Sequence, residues 1–271
     1  MTTSGSMRTQ PQATTRYESP RRAFVLACLA LLVVCQLASV TAAEGAPTVT
    51  FKVKPQPIPG FPGTGNILGA GAQVTVQDTI SGTEYGGFPS PLVLLAILAP
   101  AGTKINSTGF ATCSPAALEN VGPSACPKQS IAGPVGEGIG VVTFGGEQVR
   151  EKVTLQSFFA PNNGLTVYAN GSTPVSLQIV EKGHWITGPA PYGPELIVDI
   201  PLVESVPGAP DASILSFKVA VGAAYRKHGK MHSYITLPKH CPRGGAPIKT
   251  ELGFLSGEHS TVAFKQPCPA R

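Results

Sequence analysis

The chain has few charged residues and few of the residues that build long helices. Only 13% of its 271 residues are charged, whereas 31 Gly and 27 Pro make up about a fifth of the sequence. Coiled coils and helical repeat arrays need many more helix formers, and charged disordered tails need more charge. Because 42% of the residues are hydrophobic, the chain still has enough apolar surface for a folded core.

Several catalytic and cofactor motifs are also absent. The sequence contains no G-x-S-x-G or H-E-x-x-H, and its only Asp residues are Asp78, Asp199 and Asp211. This excludes a nucleophile elbow, a zincin site and an EF-hand calcium loop. The glycines at 136, 138 and 140 precede Val-Val-Thr-Phe, which is typical of a strand, whereas a phosphate-binding loop opens a helix. We therefore expect no cofactor and no metal.

The first 43 residues have the pattern of an export signal. Residues 1–22 are polar and carry four Arg, and Ala23 to Cys35 is an uninterrupted apolar run. Small residues at Thr41 and Ala43 then precede Glu44. The pattern predicts a signal peptide over residues 1–43, cleaved after Ala43, and a secreted domain over residues 44–271.

An uncleaved membrane anchor helix over residues 23–40 is the alternative, since this stretch approaches the length of a bilayer span. Both readings place the domain outside the cytosol and limit membrane contact to the N-terminal segment. Loss of the four Arg and one Glu of residues 1–43 lowers the net charge from +5 to +2. A nearly neutral domain is not expected to bind nucleic acid.

The cysteines of the predicted domain are even in number, as in disulfide-bonded secreted proteins. They are Cys113, Cys126, Cys241 and Cys268. Three pairings are open, and proximity in sequence favours Cys113 with Cys126 and Cys241 with Cys268. A zinc site is the alternative, but zinc ligands usually come in closely spaced pairs, whereas 12 and 26 residues intervene here.

Apolar and polar residues alternate with period two along much of the domain, as they do in half-buried strands. Examples are the stretches around Val49 to Val53, Val74 to Val76, and Leu215 to Val221, where Leu215, Phe217, Val219 and Val221 are in phase. The pattern predicts an all-β, β-sandwich-like single domain of about ten to twelve strands. Long Pro/Gly loops are expected over Pro55 to Gly71 and Gly188 to Pro194.

Three local segments carry more specific signals. Leu92 to Ala99 is apolar throughout and bounded by prolines, which predicts a short strand covered on both faces. Pro161 to Gly164 predicts a hairpin turn. Ser114 to Glu119 predicts a short helix that is capped by Ser114 and has Pro at its first position.

Several of these features occur together in one known type of protein. The Pro91 to Pro100 strand, the Cys113/Cys126 pair, C-P-x-x-S from Cys126 to Ser130 with glycines after it, and Leu237 to Pro242 resemble a recurring group of secreted, β-rich bacterial proteins of uncharacterised function. The resemblance covers roughly residues 90 to 268. It implies export and an all-β fold, and it implies no activity.

Basic and titratable side chains cluster around Gly229. They are Arg226, Lys227, His228, Lys230 and His232. We expect an exposed hairpin tip, which is either a solvated turn or a contact site for an anionic polymer, lipid headgroups or phosphate groups. His228 and His232 have the spacing of a helical metal pair, but Gly229 and the flanking strand patterns argue against a helix.

The sequence therefore favours an exported, non-enzymatic binding or structural module at or outside the cell envelope. Its expected partner is an anionic envelope polymer or another surface protein. One alternative is an extracellular hydrolase of a polysaccharide or ester, with His184, Glu147 or Glu151 as acid/base groups. The other is a membrane-anchored surface protein.

Overall fold

The computed structural model describes residues 45–59, 67–173, 176–204 and 206–268. The predicted signal peptide or anchor lies outside these ranges. Among the residues described, no helix combines the length and the apolar character needed to cross a membrane.

The described residues form fifteen strands, one short helix and two 3-10 turns. The strands are β1 (Thr48–Pro57), β2 (Gly71–Ser81), β3 (Leu92–Pro100), β4 (Lys104–Ile105), β5 (Gly136–Phe144), β6 (Glu147–Ala160), β7 (Gly164–Gly171), β8 (Leu177–Thr187), β9 (Tyr192–Asp199), β10 (Ser213–Val221), β11 (Ala224–Lys227), β12 (Lys230–Ser233), β13 (Ile235–Thr236), β14 (Ala246–Phe254) and β15 (His259–Gln266). The helix α1 spans Pro115–Asn120, and the 3-10 turns span Pro123–Ala125 and Lys128–Ser130. The strand count exceeds the expected ten to twelve because β4 and β11 to β13 are too short to show an alternating pattern.

One antiparallel sheet of thirteen strands contains all strands except β11 and β12. Its order is β15-β14-β3-β9-β8-β7-β6-β5-β10-β2-β13-β4, with β1 paired along β2. The run from β5 to β9 is a meander in which each strand pairs with the next in sequence. Strands β11 and β12 form a separate hairpin.

The sheet folds over until strands from its two ends meet. The Ser260 hydroxyl in β15 donates a hydrogen bond to the Pro47 carbonyl just before β1. The rings of Phe51 in β1 and Phe264 in β15 lie 6.3 Å apart between centroids. Ile248 of β14 shares a hydrophobic cluster with Phe51 and with Val76 of β2. The sheet thus encloses a common interior, and the all-β, sandwich-like prediction is confirmed.

Three local predictions are confirmed. The apolar run from Leu92 forms β3, and Asn162 and Asn163 adopt positive φ angles of 57° and 60° in the turn between β6 and β7. The Ser114 hydroxyl caps α1 by accepting a hydrogen bond from the Ala117 N–H at 3.2 Å.

Two other predictions need correction. The loop expected over Gly188 to Pro194 is shorter, because β9 begins at Tyr192 and the Gly188 N–H bonds the Gly193 carbonyl at 2.8 Å. The alternation expected from Leu215 to Val221 breaks at a β-bulge between Ile214 and Ser216. Since a bulge inserts one residue, Ile214 packs against the core in place of Leu215.

Both favoured disulfides are present. Cys113–Cys126 closes a loop over a sequence separation of 13, and Cys241–Cys268 closes one over 27. The first holds the α1 segment against the outer face of the sheet, where Cys113 is buried with Leu118. In the chain-entropy picture the two bonds stabilise the fold by about 3 and about 3.5 kcal/mol.

The glycines at 136, 138 and 140 lie within β5, where the first of them allows close packing of backbone. A Cβ on Gly136 would lie 2.1 Å from the Lys218 carbonyl oxygen of β10. Only glycine fits at this position, and the glycines belong to the strand itself and do not precede it, so the stretch does not have the geometry of a phosphate loop.

An aspartate lies in the core with no partner for its charge. Asp78 of β2 is fully buried, and neither carboxylate oxygen has a hydrogen-bond partner among the residues that the structure describes. Its register neighbours are Phe51 and Phe217. Desolvation raises the pKa of the Asp78 carboxyl to about 7, and a weak interaction with the Thr79 N–H opposes this without reaching hydrogen-bond geometry.

This burial predicts a stability that depends on pH. Because the folded-state pKa of Asp78 is above its ordinary value of 3.8, the folded state binds more protons than the unfolded state between those two pKa values. The free energy of unfolding should therefore fall as the pH rises from about 4 to about 7, by up to about 4 kcal/mol from this residue. Urea unfolding at pH 5 and pH 8 measures the difference.

The Asp78→Asn variant should lose the part of the pH dependence of its unfolding free energy that Asp78 contributes. It should also be more stable than the wild type at pH 8. Asp211→Asn, at a partly buried aspartate outside the core, is the control and should keep the wild-type dependence. An Asp78→Asn protein with the full wild-type pH dependence would contradict the assignment.

Candidate functional site

The interior of the folded sheet holds a cavity of about 340 Å³, called the large cavity below. Its wall is almost entirely apolar: Val53, Pro55, Ile67, Leu68, Val74, Val76, Ile97, Ala99, Pro100, Ile105, Trp185, Leu196, Val221, Ile235, Leu237, Pro238, Ala246, Ile248 and Pro267. Inward-facing residues of several strands and the segment after β13 contribute to it. The wall is therefore built from positions far apart in sequence.

A few polar groups lie in the wall of the large cavity. The buried Thr103 hydroxyl has no hydrogen-bond partner, and the Trp185 indole N–H donates to the Tyr234 hydroxyl at 2.8 Å. Burial raises the pKa of Tyr234 to about 12. The exposed side chains of Lys54 and His240 also line the cavity, so its opening to solvent is at this edge.

A second interior space of about 110 Å³, the small cavity, lies next to the large one. Val76, Ile97, Leu196 and Val221 line both spaces and form the boundary between them. The small cavity is also mostly apolar, but two acidic side chains, Glu151 and Glu181, line it.

These two glutamates have different surroundings. Glu151 is 1% exposed and accepts a hydrogen bond from the Thr173 N–H at 3.1 Å. A Cβ on Gly171 would lie 2.5 Å from its carboxylate, so this glycine makes room for it. Glu181 is half-buried and lines the small cavity, and desolvation raises its pKa to about 7.

The predicted basic cluster forms the hairpin β11–β12. His228 and Gly229 have φ angles of 50° and 76°, as in a two-residue type I′ turn. The ring of His232 stacks on Tyr225 at 5.0 Å. The Arg226 guanidinium donates a hydrogen bond to the Gly229 carbonyl at 3.0 Å. The Arg226 side chain is nevertheless exposed.

Two lysines of this hairpin face each other. Lys227 and Lys230 are register partners and both are exposed. In the described ranges no carboxylate forms an ion pair with either of them. Directly opposed like charges destabilise a strand pair, so a bound anion would relieve this repulsion.

The residues considered for a hydrolase are scattered. His184 lies opposite Gly164, which lies opposite Ala160 of β6. Glu151 is nine residues from Ala160 on the same strand, which corresponds to about 30 Å. His184 and Glu147 are exposed, whereas Glu151 is buried, so no cleft gathers the three.

The residues that the structure describes are not arranged as a metal site. They contain no group of three or more His, Cys, Asp or Glu side chains placed to hold an ion. His228 and His232 lie on a hairpin, where the helical spacing that would bring them together does not apply.

The sequence did not lead us to predict the cavities, the acidic side chains of the small cavity or the buried Asp78. A signal for the acidic groups was present, because Asp78 is in phase with Val74, Val76 and Ile80 on β2. Glu181 is likewise in phase with Leu177 and Ile179 on β8. A carboxyl at an apolar position of a period-two pattern indicates an acidic group that faces the interior.

Added volume at the boundary between the cavities should stabilise the protein. Val76→Ile adds one methyl group next to both spaces, and we expect the free energy of unfolding to rise by about 1 kcal/mol. Val141→Ile is the matched control, since Val141 is buried but lines neither cavity and has no such space. Equal effects of the two substitutions in urea unfolding would contradict the cavity description.

Comparisons of the chain with protein-family models, with curated proteins and with solved structures find no match. Functional inference therefore rests on the cavities and the hairpin.

Proposed function

We propose that this protein is an exported, disulfide-stabilised and non-enzymatic binding protein that holds a small, mainly apolar molecule in the large cavity. The observation that carries the proposal is an interior space of about 340 Å³ with an apolar wall and an edge open to solvent. Ligand pockets fall in the range of about 300 to 1,000 Å³ and are lined mostly by apolar groups with a few polar ones.

The apolar wall of the large cavity supports a binding role. Because the cavity opens to solvent, part of this apolar wall stays in contact with water after folding. An apolar ligand that fills the cavity removes this surface from water, so its binding is favourable.

The second disulfide supports the cavity wall. Cys241 lines the large cavity, next to the lining residues Leu237, Pro238 and His240, and its bond to Cys268 joins the segment after β13 to the segment after β15. The bond therefore continues the link between β14 and β15 past their terminal register pair, Ala246 and Gln266, which also lines the cavity. Two disulfides are typical of proteins that fold in an oxidising compartment, which agrees with export.

We propose a second contact, with an anionic envelope polymer, at the β11–β12 hairpin. The specific observation that favours it is the opposed pair Lys227 and Lys230, whose exposed charges have no carboxylate partner among the described residues. Arg226 and His228 extend the same exposed tip. A polyanion would neutralise several of these charges at once.

The large cavity can be tested with an apolar fluorescent probe such as N-phenylnaphthylamine. Trp185, the only Trp in the chain, lines this cavity, so a bound probe should accept energy from it and quench its fluorescence. Ala99→Phe places a ring in the cavity and should weaken probe binding by about tenfold or more, since the ring occupies the volume that the probe would fill.

Ala101→Phe is the control, because Ala101 is exposed and lies outside the cavity lining. This variant should bind the probe as the wild type does. Absence of saturable binding to the wild type, or equal binding by Ala99→Phe, would contradict the proposal.

The hairpin contact predicts salt-dependent binding to a polyanion. The probe is inorganic polyphosphate, and Lys227→Gln combined with Lys230→Gln should weaken binding about tenfold, because each exposed cation contributes up to about 1 kcal/mol. Lys52→Gln combined with Lys265→Gln removes two exposed charges elsewhere and should have little effect. Equal losses in both double variants would show a non-specific charge effect and contradict the hairpin site.

A further inference from the structure

Glu181 is the feature of the cavities that an apolar ligand alone does not explain. Its carboxylate lines the small cavity, and among the described residues no hydrogen bond or ion pair reaches it. Its register neighbour on β7 is Val167, which lines the same cavity. A carboxylate in such surroundings costs several kcal/mol unless a cation or a hydrogen-bond donor accompanies it.

The charges around this position all have one sign. In the described part of the chain, the other acidic side chain that lines the small cavity is Glu151, and no Lys, Arg or His lines it. Asp78, from β2, is a third acidic group in the interior. The cations of the large cavity, Lys54 and His240, are at its solvent edge. An anionic head group would thus find no cation among the described residues that line the small cavity.

The two cavities lie side by side, as a ligand with a charged end and an apolar end would require. Along β3 the small cavity is lined by Leu95, the boundary by Ile97 and the large cavity by Ala99. Along β10 the small cavity is lined by Phe217 and the boundary by Val221. An elongated molecule could therefore cross the boundary with rotamer changes in a few aliphatic side chains.

We propose that the ligand is an amphipathic amine whose protonated nitrogen pairs with the Glu181 carboxylate in the small cavity and whose apolar body extends into the large cavity. This inference rests on the proposed function, because it names the ligand class for the same interior site. Charge complementarity decides between an amine and a fatty acid of the same length. Because the wall around residue 181 is mostly apolar, the ion pair can form only if this residue carries a carboxylate.

The test compares decylamine, decanol and decanoate, which share one chain and differ in the head group. Isothermal titration of the purified full-length protein with both disulfides intact, at pH 8, measures each affinity. Decylamine should bind about ten- to a hundredfold more tightly than decanol, which is the effect of one charge-assisted hydrogen bond, and decanoate should bind more weakly than decanol.

Glu181→Gln should abolish the preference for decylamine while decanol binds as before. Glu147→Gln removes an exposed carboxylate and should keep the preference. In the wild type, decylamine affinity should fall about tenfold per pH unit below about 7, since Glu181 must then lose a proton to form the pair. Asp78→Asn should keep this pH dependence, and Glu181→Gln should lose it.

The outcomes separate this inference from the function on which it rests. If none of the three compounds binds, the proposed function fails and the ligand class fails with it. If decanol and decylamine bind equally well to the wild type, or if Glu181→Gln keeps the preference, the cavity still binds apolar molecules but the amine proposal is overturned. If the Glu181→Gln protein does not fold, the pH dependence of decylamine binding to the wild type decides instead. An affinity that does not fall below about pH 7 would overturn the amine proposal.

Discussion

The fold depends on a hydrogen-bonded antiparallel ladder that curves until its ends meet. Because side chains alternate between the two faces of a strand, curvature sends every second side chain into one shared interior. The contact of Phe51 with Phe264 joins the ends, and Ile248 packs with Val76 across the enclosed space. The core, the cavities and the buried carboxyls all follow from this closure.

Closure also explains why the interior is incompletely filled. Strand spacing and curvature fix the width of the enclosed space, and side chains can fill it only as far as their size allows. Valine, isoleucine and alanine at positions such as Val76, Ile97 and Ala99 leave space between opposite walls. The same geometry places Glu181 in the lining of the small cavity, whereas Lys54 and His240 line the large one.

The outer surface has a different organisation. One disulfide holds α1 against the outer face through Cys113 and Leu118, and the other, at Cys241, holds a segment of the cavity wall. The β11–β12 hairpin is separate from the large sheet and presents Lys227 and Lys230 to solvent. The cavities and the exposed lysines therefore lie on different parts of the described structure.

The sequence by itself determined the local features, because period-two alternation, turn residues and helix caps act over a few neighbours. It yielded β3, the turn at Asn162 and Asn163, the Ser114 cap, the basic hairpin and the favoured disulfide pairs. It even marked Asp78 and Glu181 as carboxyls in phase with apolar residues. Only the tertiary structure decided that these side chains share an interior, that a bulge displaces Leu215, and that space remains between the walls. The physical reason is that curvature and closure depend on contacts between strands such as β1 and β15, which are far apart in the chain and leave no local pattern.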